Sequence, residues 1–538
     1  MKPNYVPVLI VGGGLSGLAS ALFLGKQNIE YLLIERHPST AIHPKAGGIT
    51  FRTMELFREL GLEKRIRLAG KALEDCRGRI AVQTIAEVKN EELEQIRAAQ
   101  YENNEKLVRE VEEISPSKQT ACYQITLEEM MLQYAQKLGG TLSFNHELVS
   151  YEQNENGVIA TIRNRETKEE STIYCDYVIA ADGAKSKIRE QLGILTEGRG
   201  TIGGYYMNIY FEADLSECIK GDAFGFTMIL HPEVLGALIP VDNESKWIYH
   251  VAYDPVKGER PEDFSIERCK QIIQTAIGSM DIKSEILSVL PWEASESTAV
   301  KFQGNRIFLV GDSAHIMPPT GGFGSNTGIQ DAHNLAWKLA AVIKGKANPK
   351  LLETYHDERY PVAKLTTDHA SSILFRAAGR EGGDLSNMDS LAVTAGYQYC
   401  SEAIIDECNT PHRMDIVDLN GRPGTRAPHF FGTYEGKEVS ILDLFGSNFV
   451  LLTETGHSAW TEAANVVSSR LGVKIKVYQV GLTGDFIDQS NNFRNLYGIE
   501  NGGAVVIRPD GFIGWRTENE ALKPNVLLED VMKHLLCN

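Results

Sequence analysis

The stretch VPVLIVGGGLSGLASALFLGKQNIEYLLIE, residues 6–35, decides the fold. Residues 6–11 are a short, branched apolar run that stops at glycine, the pattern of a strand buried on both faces. Ser16 to Lys26 reads as a helix and YLLIE (31–35) as a second strand, so the chain opens on a βαβ unit. Between strand and helix stands Gly12-x-Gly14-x-x-Gly17, with Leu15 and Ser16 inside the turn. Gly12 permits the tight turn, Gly14 lets the backbone approach a pyrophosphate, and Gly17 lets helix and sheet pack closely. The helix N-terminus then faces the phosphate charge. Glu35 ends the second strand 18 residues after Gly17, with Arg36 beside it. An acid at that point accepts hydrogen bonds from ribose hydroxyls and selects a ribose without a 2′-phosphate, which means FAD or NAD rather than NADP.

The rest of the chain is too long for one ordinary core. At 538 residues, two to four domains are expected. Hydrophobic residues make up 43% and charged residues 23%, as in a soluble globular protein. The formal net charge of -17 repels phosphate backbones and anionic lipid heads, which argues against nucleic-acid and membrane partners. Eight cysteines are scattered without CxxC spacing, so neither a zinc knuckle nor a dithiol centre is expected and no metal ligands are assigned. A reducing, cytoplasmic setting fits them best. The uncharged run from Val6 to Gly25 resembles a signal-peptide core, but its turn glycines and the lack of a cleavage pattern argue against secretion.

Residues 87–113 are dense in Glu, Lys, Asn and Gln and read as a solvated helical insertion. Alternation over 140–181 predicts a strand meander that returns to a buried strand at 177–181. Residues 201–254 are rich in strand signals without long helices between them, so a mainly antiparallel sheet forms a separate layer. Strand alternation there puts Tyr206, Asn208 and Tyr210 on one face, and Phe224, Phe226 and Met228 on one face of the next strand. After the Gly/Pro-rich stretch from Asn420 to Pro428, the order βαβαββα is that of a thioredoxin-type fold, with its hairpin turning at Pro509-Asp510-Gly511. The loop that carries the dithiol in such folds reads Thr453-Glu454-Thr455-Gly456-His457 here, so the tail is redox-silent.

Two further motifs follow buried strands. Asp182-Gly183-x-x-Ser186-x-x-Arg189 follows YVIAA, and Gly311-Asp312-Ser313-Ala314-His315 follows RIFLV. The latter runs on through Pro318-Pro319-Thr320-Gly321-Gly322-Phe323-Gly324-Ser325-Asn326-Thr327-Gly328 into a helix. A strand-end Asp312 suits the hydroxyls of a polyol chain, and free N–H groups at the helix start suit negative charge on a reduced ring or carbonyl oxygen.

In this order the three motifs resemble those of the class A flavoprotein monooxygenases, the aromatic hydroxylases typified by p-hydroxybenzoate hydroxylase. The length, the segment HPKAGGITFRTMELFRELGL (43–62) and the silent tail are similar to the phenol and polyketide-tailoring hydroxylases. The resemblance implies an α/β fold: a discontinuous Rossmann-like FAD domain at 1–190 and 296–415, an antiparallel substrate domain at 191–295, and a thioredoxin-like domain at 416–538. It implies that Gly12, Gly14, Leu15, Ser16 and Gly17 hold the pyrophosphate, and that Glu35 and Arg36 serve the adenosine ribose. Lys45, in the place of an arginine common in relatives, Arg52 and Gln124 fall on the flavin side. Asp182 belongs to the FAD-binding half of the second motif, Asp312 takes the ribityl chain, and Pro319, Gly322 and the backbone of Gly324, Ser325 and Asn326 edge the isoalloxazine.

The chemistry implied is reduction of FAD by NADPH (or NADH), addition of O2, and delivery of an electrophilic oxygen from a flavin C4a-hydroperoxide to an electron-rich aromatic carbon. No side-chain nucleophile is needed, and His315 reads as a structural histidine rather than a proton relay. Tyr206, Asn208, Phe226 and Met228 are the candidate pocket residues for a planar phenolic or polycyclic substrate. The protein is expected to act as a monomer or homodimer. A halogenase is disfavoured, since none of Trp247, Trp292, Trp337, Trp460 and Trp515 stands two residues from another. Baeyer–Villiger oxygenation on the same scaffold and a non-catalytic flavin or ligand binder stay open as alternatives.

Overall fold

The computed structural model describes residues 5–74, 76, 78–87, 105–219, 225–380, 388–405 and 420–538. Of the insertion expected over 87–113, residues 105–114 are helical and 88–104 lie outside the described residues, as does Phe224.

The apolar run that opens the chain becomes the strand Tyr5–Val11, in the interior of an eight-stranded sheet. It pairs in parallel with Tyr31–Glu35 on one side and Glu170–Ala180 on the other. Thr141–Phe144 extends the parallel run beyond the first neighbour, and Ile307–Leu309 extends it beyond the second. Val8, Leu9 and Ile10 are fully buried, as expected for a parallel strand covered on both faces. The meander is present as the hairpin His146–Asn154 and Gly157–Asn164, paired antiparallel onto Glu170–Ala180. The helices Leu15–Lys26, Gln124–Lys137 and Phe323–Ile343 contribute buried residues to the core around this sheet. The three motifs therefore follow the carboxyl ends of three neighbouring parallel strands, where open α/β sheets bind ligands.

A second sheet of seven strands forms the separate layer. Its long strand Thr196–Glu212 lies between Lys246–Tyr253 and Glu285–Ala299, antiparallel to both. One face is core: Met207, Ile209, Phe211, Tyr249 and Val251 cluster with Cys269, Ile272 and Ile273 of the helix Ile266–Ile277. The sheet is wider than 191–295. Arg79–Val82 joins one edge in parallel with Phe226–Ile229, and His315–Ile316 joins the other edge.

The tail has its own seven-stranded sheet with Phe449–Glu454 in the interior, parallel to Ile475–Gly481 and antiparallel to Gly502–Ile507. The expected βαβαββα order is present with one short added strand, Phe486–Ile487, after Ile475–Gly481, and is closed by the helix Pro524–Leu535. An additional hairpin, Phe431–Tyr434 with Lys437–Ser440, precedes it. Gly511 turns the Asp510 hairpin with φ 80°, a left-handed conformation that suits glycine.

Buried ion pairs fasten the tail to the FAD-type unit. Glu55 accepts from Arg52 Nη1 at 2.8 Å and from Arg426 Nε at 2.9 Å, and Ser115 Oγ donates to it at 2.6 Å. Arg508 donates to both oxygens of Glu358, at 2.6 and 2.8 Å, while Asp510 accepts from the Trp337 indole at 3.1 Å.

Candidate active site

The opening turn is built as its glycines require. Gly12 has φ 111°, and a Cβ there would stand 2.2 Å from the Ala181 carbonyl oxygen. A Cβ on Gly17 would meet the Gly12 carbonyl at 1.9 Å. Gly14 differs: among the described residues a Cβ there would have just Glu128 Oε1 within 4 Å, at 3.8 Å. It caps the helix Leu15–Lys26 without any side-chain hydrogen bond, so the positive helix end is left to a ligand. Ser16 Oγ is wedged between motifs, since a Cβ on Gly311 would lie 2.1 Å from it and one on Gly328 2.3 Å. Leu15 packs into the core.

Glu35 is held in place by the Gly13 and His37 N–H groups, at 2.7 and 2.8 Å. Arg36 is exposed, and its carbonyl accepts from Arg165 at 2.8 Å. Gln124 starts the helix Gln124–Lys137; its backbone N–H donates to Ala46 at 2.7 Å and its side chain to Glu128 at 2.6 Å. Glu128 also accepts from the Ala41 N–H at 2.8 Å, which fastens the segment carrying Lys45. Burial raises the Glu128 pKa, while Lys45 lowers it. Lys45 acts in the same sense on Asp312, so this exposed lysine lies near both acids.

Asp182 accepts from the Ile188 N–H at 3.3 Å, and its Oδ1 is buried without a partner among the described residues. Arg189 joins the second motif to the third, donating to the Ser313 carbonyl at 2.8 Å. Asp312 is exposed, yet protein crowds its carboxyl group, and that desolvation raises its pKa against the pull of His315 and Lys45. Pro319 is exposed at the start of the glycine run. Gly321 and Gly322 are both left-handed, φ 81° and 67°, and a Cβ on Gly322 would meet nothing. The helix Phe323–Ile343 begins there without a side-chain cap, beside half-buried Gly324 and Ser325. An orphaned carboxylate oxygen, two uncapped helix starts and glycines facing open space fit a bound dinucleotide.

Two side chains are engaged by protein. Arg52, expected on the flavin side, is turned to the tail: it pairs with Glu55, donates to the Asp510 carbonyl at 3.2 Å and lies over the Phe512 ring. Its place in the sequence is the first turn of the helix Phe51–Glu59, and that face packs on the tail. The Asn326 side chain is spent on protein, donating to Gly48 and Gly322 and accepting from the Thr50 N–H at 3.0 Å. It splices the glycine run to the segment after Lys45. His315 is fully buried and paired with Asp331 at 2.6 Å; Asp331 in turn binds Arg359 at 2.7 Å.

The four pocket candidates share one face of the second sheet, opposite its core. Cross-strand partners place Leu290, Asn208, His250, Ala237 and Met228 in one row across the strands, with Phe226 beside it. Both ends of the row are open, Met228 being 37% and Leu290 39% exposed. Tyr206 stacks on Trp292 with centroids 4.6 Å apart, and the Trp292 indole donates to His250 Nδ1 at 3.0 Å. His43 joins this face from the first unit: its Nδ1 lies 2.5 Å from Ser288 Oγ and its ring meets Tyr210 edge-on. Burial pushes His43 and His250 down to about 4, so both are neutral near pH 7. Reading the sequence alone misses His43, Ser288, His250 and Trp292. His43 lies inside the HPKAGG segment, but nothing local says that it reaches across to the sheet.

A dinucleotide turn in one sheet unit and an aromatic face on a second sheet together suit a flavoprotein oxygenase. Residues 5–370 match the family model described as an FAD binding domain, and residues 420–538 the one described as the C-terminal part of aromatic-ring hydroxylases. The chain belongs to the FAD-dependent aromatic-ring hydroxylase family and is an FAD-dependent monooxygenase, taking O2 and a reduced nicotinamide. It is 39% identical to the tetracenomycin A2 monooxygenase-dioxygenase of Streptomyces glaucescens, over 96% of this chain and 94% of that one. It is 37% identical to the 4-methyl-5-nitrocatechol 5-monooxygenase of a Burkholderia species, over 99% and 98%. A crystal structure of aklavinone-11 hydroxylase with FAD and aklavinone superposes with a TM-score of 0.89, at 33% identity and covering 100% of both chains. Among the described residues no helix is long and apolar enough to cross a membrane, and no group of ligating side chains suits a metal ion.

Proposed function

We propose that this monooxygenase hydroxylates a phenolic or polycyclic aromatic compound, using NADPH as reductant. The observation that carries the reading is the shared face of Tyr206, Asn208, Phe226 and Met228, a largely apolar, aromatic floor whose row of side chains is open at both ends. Such a floor takes a flat, apolar molecule and orients it with few polar groups.

The residues divide the work. The uncapped helix start at Gly14 neutralises the pyrophosphate, Glu35 accepts from ribose hydroxyls and Asp312 from the ribityl chain. The free N–H groups after Gly322 would hold the ring edge of bound FAD and favour negative charge there. When bound, FAD supplies the redox chemistry and the activated oxygen. The sheet floor, with Tyr206 fixed by Trp292, presents the aromatic ring and excludes water from the reacting atoms. The seven cysteines among the described residues, all free, and the need for reduced nicotinamide support a cytoplasmic setting. The test is NADPH consumption by purified holoenzyme across a panel of phenols, naphthols and hydroxyanthraquinones. Stimulation by at least one class supports the reading; consumption unchanged across the whole panel overturns it.

A further inference from the structure

One carboxylate brackets the turn that carries Asp312. Asp331 Oδ2 accepts from the Gly311 N–H at 3.2 Å and lies 2.6 Å from His315 Nε2, so both ends of residues 311–315 rest on it. Its other oxygen accepts from Arg359 Nε at 2.7 Å. The same guanidinium donates from Nη2 to the Thr327 carbonyl at 3.3 Å, in the helix that begins at the glycine run. Arg359 thus joins the two pieces of the third motif. Its remaining nitrogen, Nη1, donates to the Tyr399 hydroxyl at 3.1 Å. The Tyr399 ring lies flat on Phe512, with centroids 4.1 Å and planes 24° apart. Phe512 stands in the tail's hairpin, directly after Gly511. Asp331, Arg359, Tyr399 and Phe512 are all buried.

We propose that Tyr399 and Phe512 are positioning residues for FAD: acting through Arg359 and Asp331, the tail sets the geometry of the Gly311–Asp312 turn. The inference rests on the assignment of Asp312 to the ribityl chain and gives the tail a part in cofactor binding. The buried charge is what makes the path depend on the tail. A guanidinium stays charged and carries five N–H donors, so each one buried without an acceptor costs the desolvation of a polar group. Asp331 and Thr327 take two directions of Arg359. The Tyr399 hydroxyl takes the third, with the Tyr397 hydroxyl farther off at 3.5 Å. Tyr399 is itself fixed from the tail side. Its N–H donates to the Gly424 carbonyl at 2.8 Å, the Gly424 N–H donates to Ile513 at 2.7 Å, and Phe512 covers its ring face. Removing the Phe512 ring opens a cavity against Tyr399, into which the phenol can tilt. Arg359 then follows its acceptor or loses it, and Asp331 shifts beneath Gly311 and His315. Binding groups have to be held to within about 0.5 Å, and the polar contacts behind them do the holding.

The experiment compares variants of the full chain by FAD titration of apoprotein, by Tm, and by visible circular dichroism of the FAD-saturated protein. Phe512→Ala and Tyr399→Phe cut the path. Leu528→Ala weakens the tail away from it, because Leu528 clusters with Trp460, Val531 and Met532 in the tail's own core. FAD affinity is expected to fall at least about tenfold in Phe512→Ala and about threefold in Tyr399→Phe, with altered dichroism of the bound flavin in both. Leu528→Ala lowers the Tm yet keeps the native affinity and dichroism. Native FAD affinity in both path variants overturns the proposal, and so does an equal loss of affinity in Leu528→Ala. Should Phe512→Ala fail to fold, Tyr399→Phe, which removes a single oxygen, decides by the same criterion. Asp312→Ala checks the assignment beneath. If it binds FAD as the native chain does, the ribityl assignment fails and the tail's part with it. If it loses FAD while both path variants keep it, the tail's part alone is overturned.

Discussion

Ser16 and Gly311 stand so close that a Cβ on Gly311 would lie 2.1 Å from the Ser16 Oγ. The opening helix and the third motif are 295 residues apart in sequence and in van der Waals contact in the fold. The second motif closes the group from the other side, because the Gly12 turn rests on the carbonyl that precedes Asp182. One cofactor can touch all three only while these contacts hold.

Gly328→Ala puts a methyl group 2.3 Å from Ser16 Oγ and 2.9 Å from the Gly311 Cα. The two helices must part, and FAD affinity is expected to fall at least about tenfold, or about 1.4 kcal/mol. Ser16→Ala in the same chain removes the first overlap and recovers part of the loss. Titration of apoprotein with FAD, read by flavin fluorescence, checks both.

Gly14→Val and Gly12→Ala separate binding from folding. The Gly14 Cβ has room in the protein, so the valine variant is expected to fold, keep its Tm and come out colourless, because the side chain occupies the pyrophosphate's approach. The Gly12 variant meets a carbonyl oxygen at 2.2 Å with φ 111° and loses stability, about 1–3 kcal/mol from the backbone conformation alone. Tm and bound flavin measured side by side distinguish the two.

Met228→Arg tests the floor. A guanidinium at this half-open apolar position has to be desolvated when a flat aromatic substrate binds. KM for a stimulating phenol is expected to rise at least about tenfold, with FAD content unchanged. An unaltered KM would remove Met228 from the pocket.

The tail clamp gives stability a pH dependence. Although burial alone would raise its pKa, Arg426 and Arg52 hold Glu55 down at about 2, against an ordinary value of 4.5. A depressed carboxylate stabilises the fold fully above its unfolded pKa and loses that contribution as pH falls toward its folded one. The Tm should therefore drop from about pH 4.5 downward, with Glu55 contributing to the slope. Glu55→Gln leaves Arg426 and Arg52 without a buried counter-charge, costs about 3–5 kcal/mol, and flattens part of that acid slope. Thermal denaturation from pH 3 to 7 reads both effects.

What sequence reveals here follows the range of the forces involved. The opening βαβ unit is readable because each glycine answers a local demand of the turn, and the strand-end acids because alternation and apolar runs mark strand ends. The order of the tail's main elements is readable for the same reason. Arg79–Val82 is not: four residues with little pattern become a strand only because Phe226–Ile229, far along the chain, offers an open edge. The turn of Arg52 toward the tail is not legible, because residue type alone does not say which face of its helix meets the tail. Met228 and Asn208 were within reach of a period-2 count, whereas His43 reaches the same face from another layer, and pairing between layers leaves no periodic trace.

The most direct test is a turnover under 18O2 with a hydroxyarene that stimulates NADPH consumption, the product being analysed by mass spectrometry and NMR. The account predicts one 18O atom per product, carried as a new hydroxyl on an aromatic carbon. Consumption of NADPH with release of peroxide and no labelled product, or label inserted into a ring carbon–carbon bond as an ester, would contradict it.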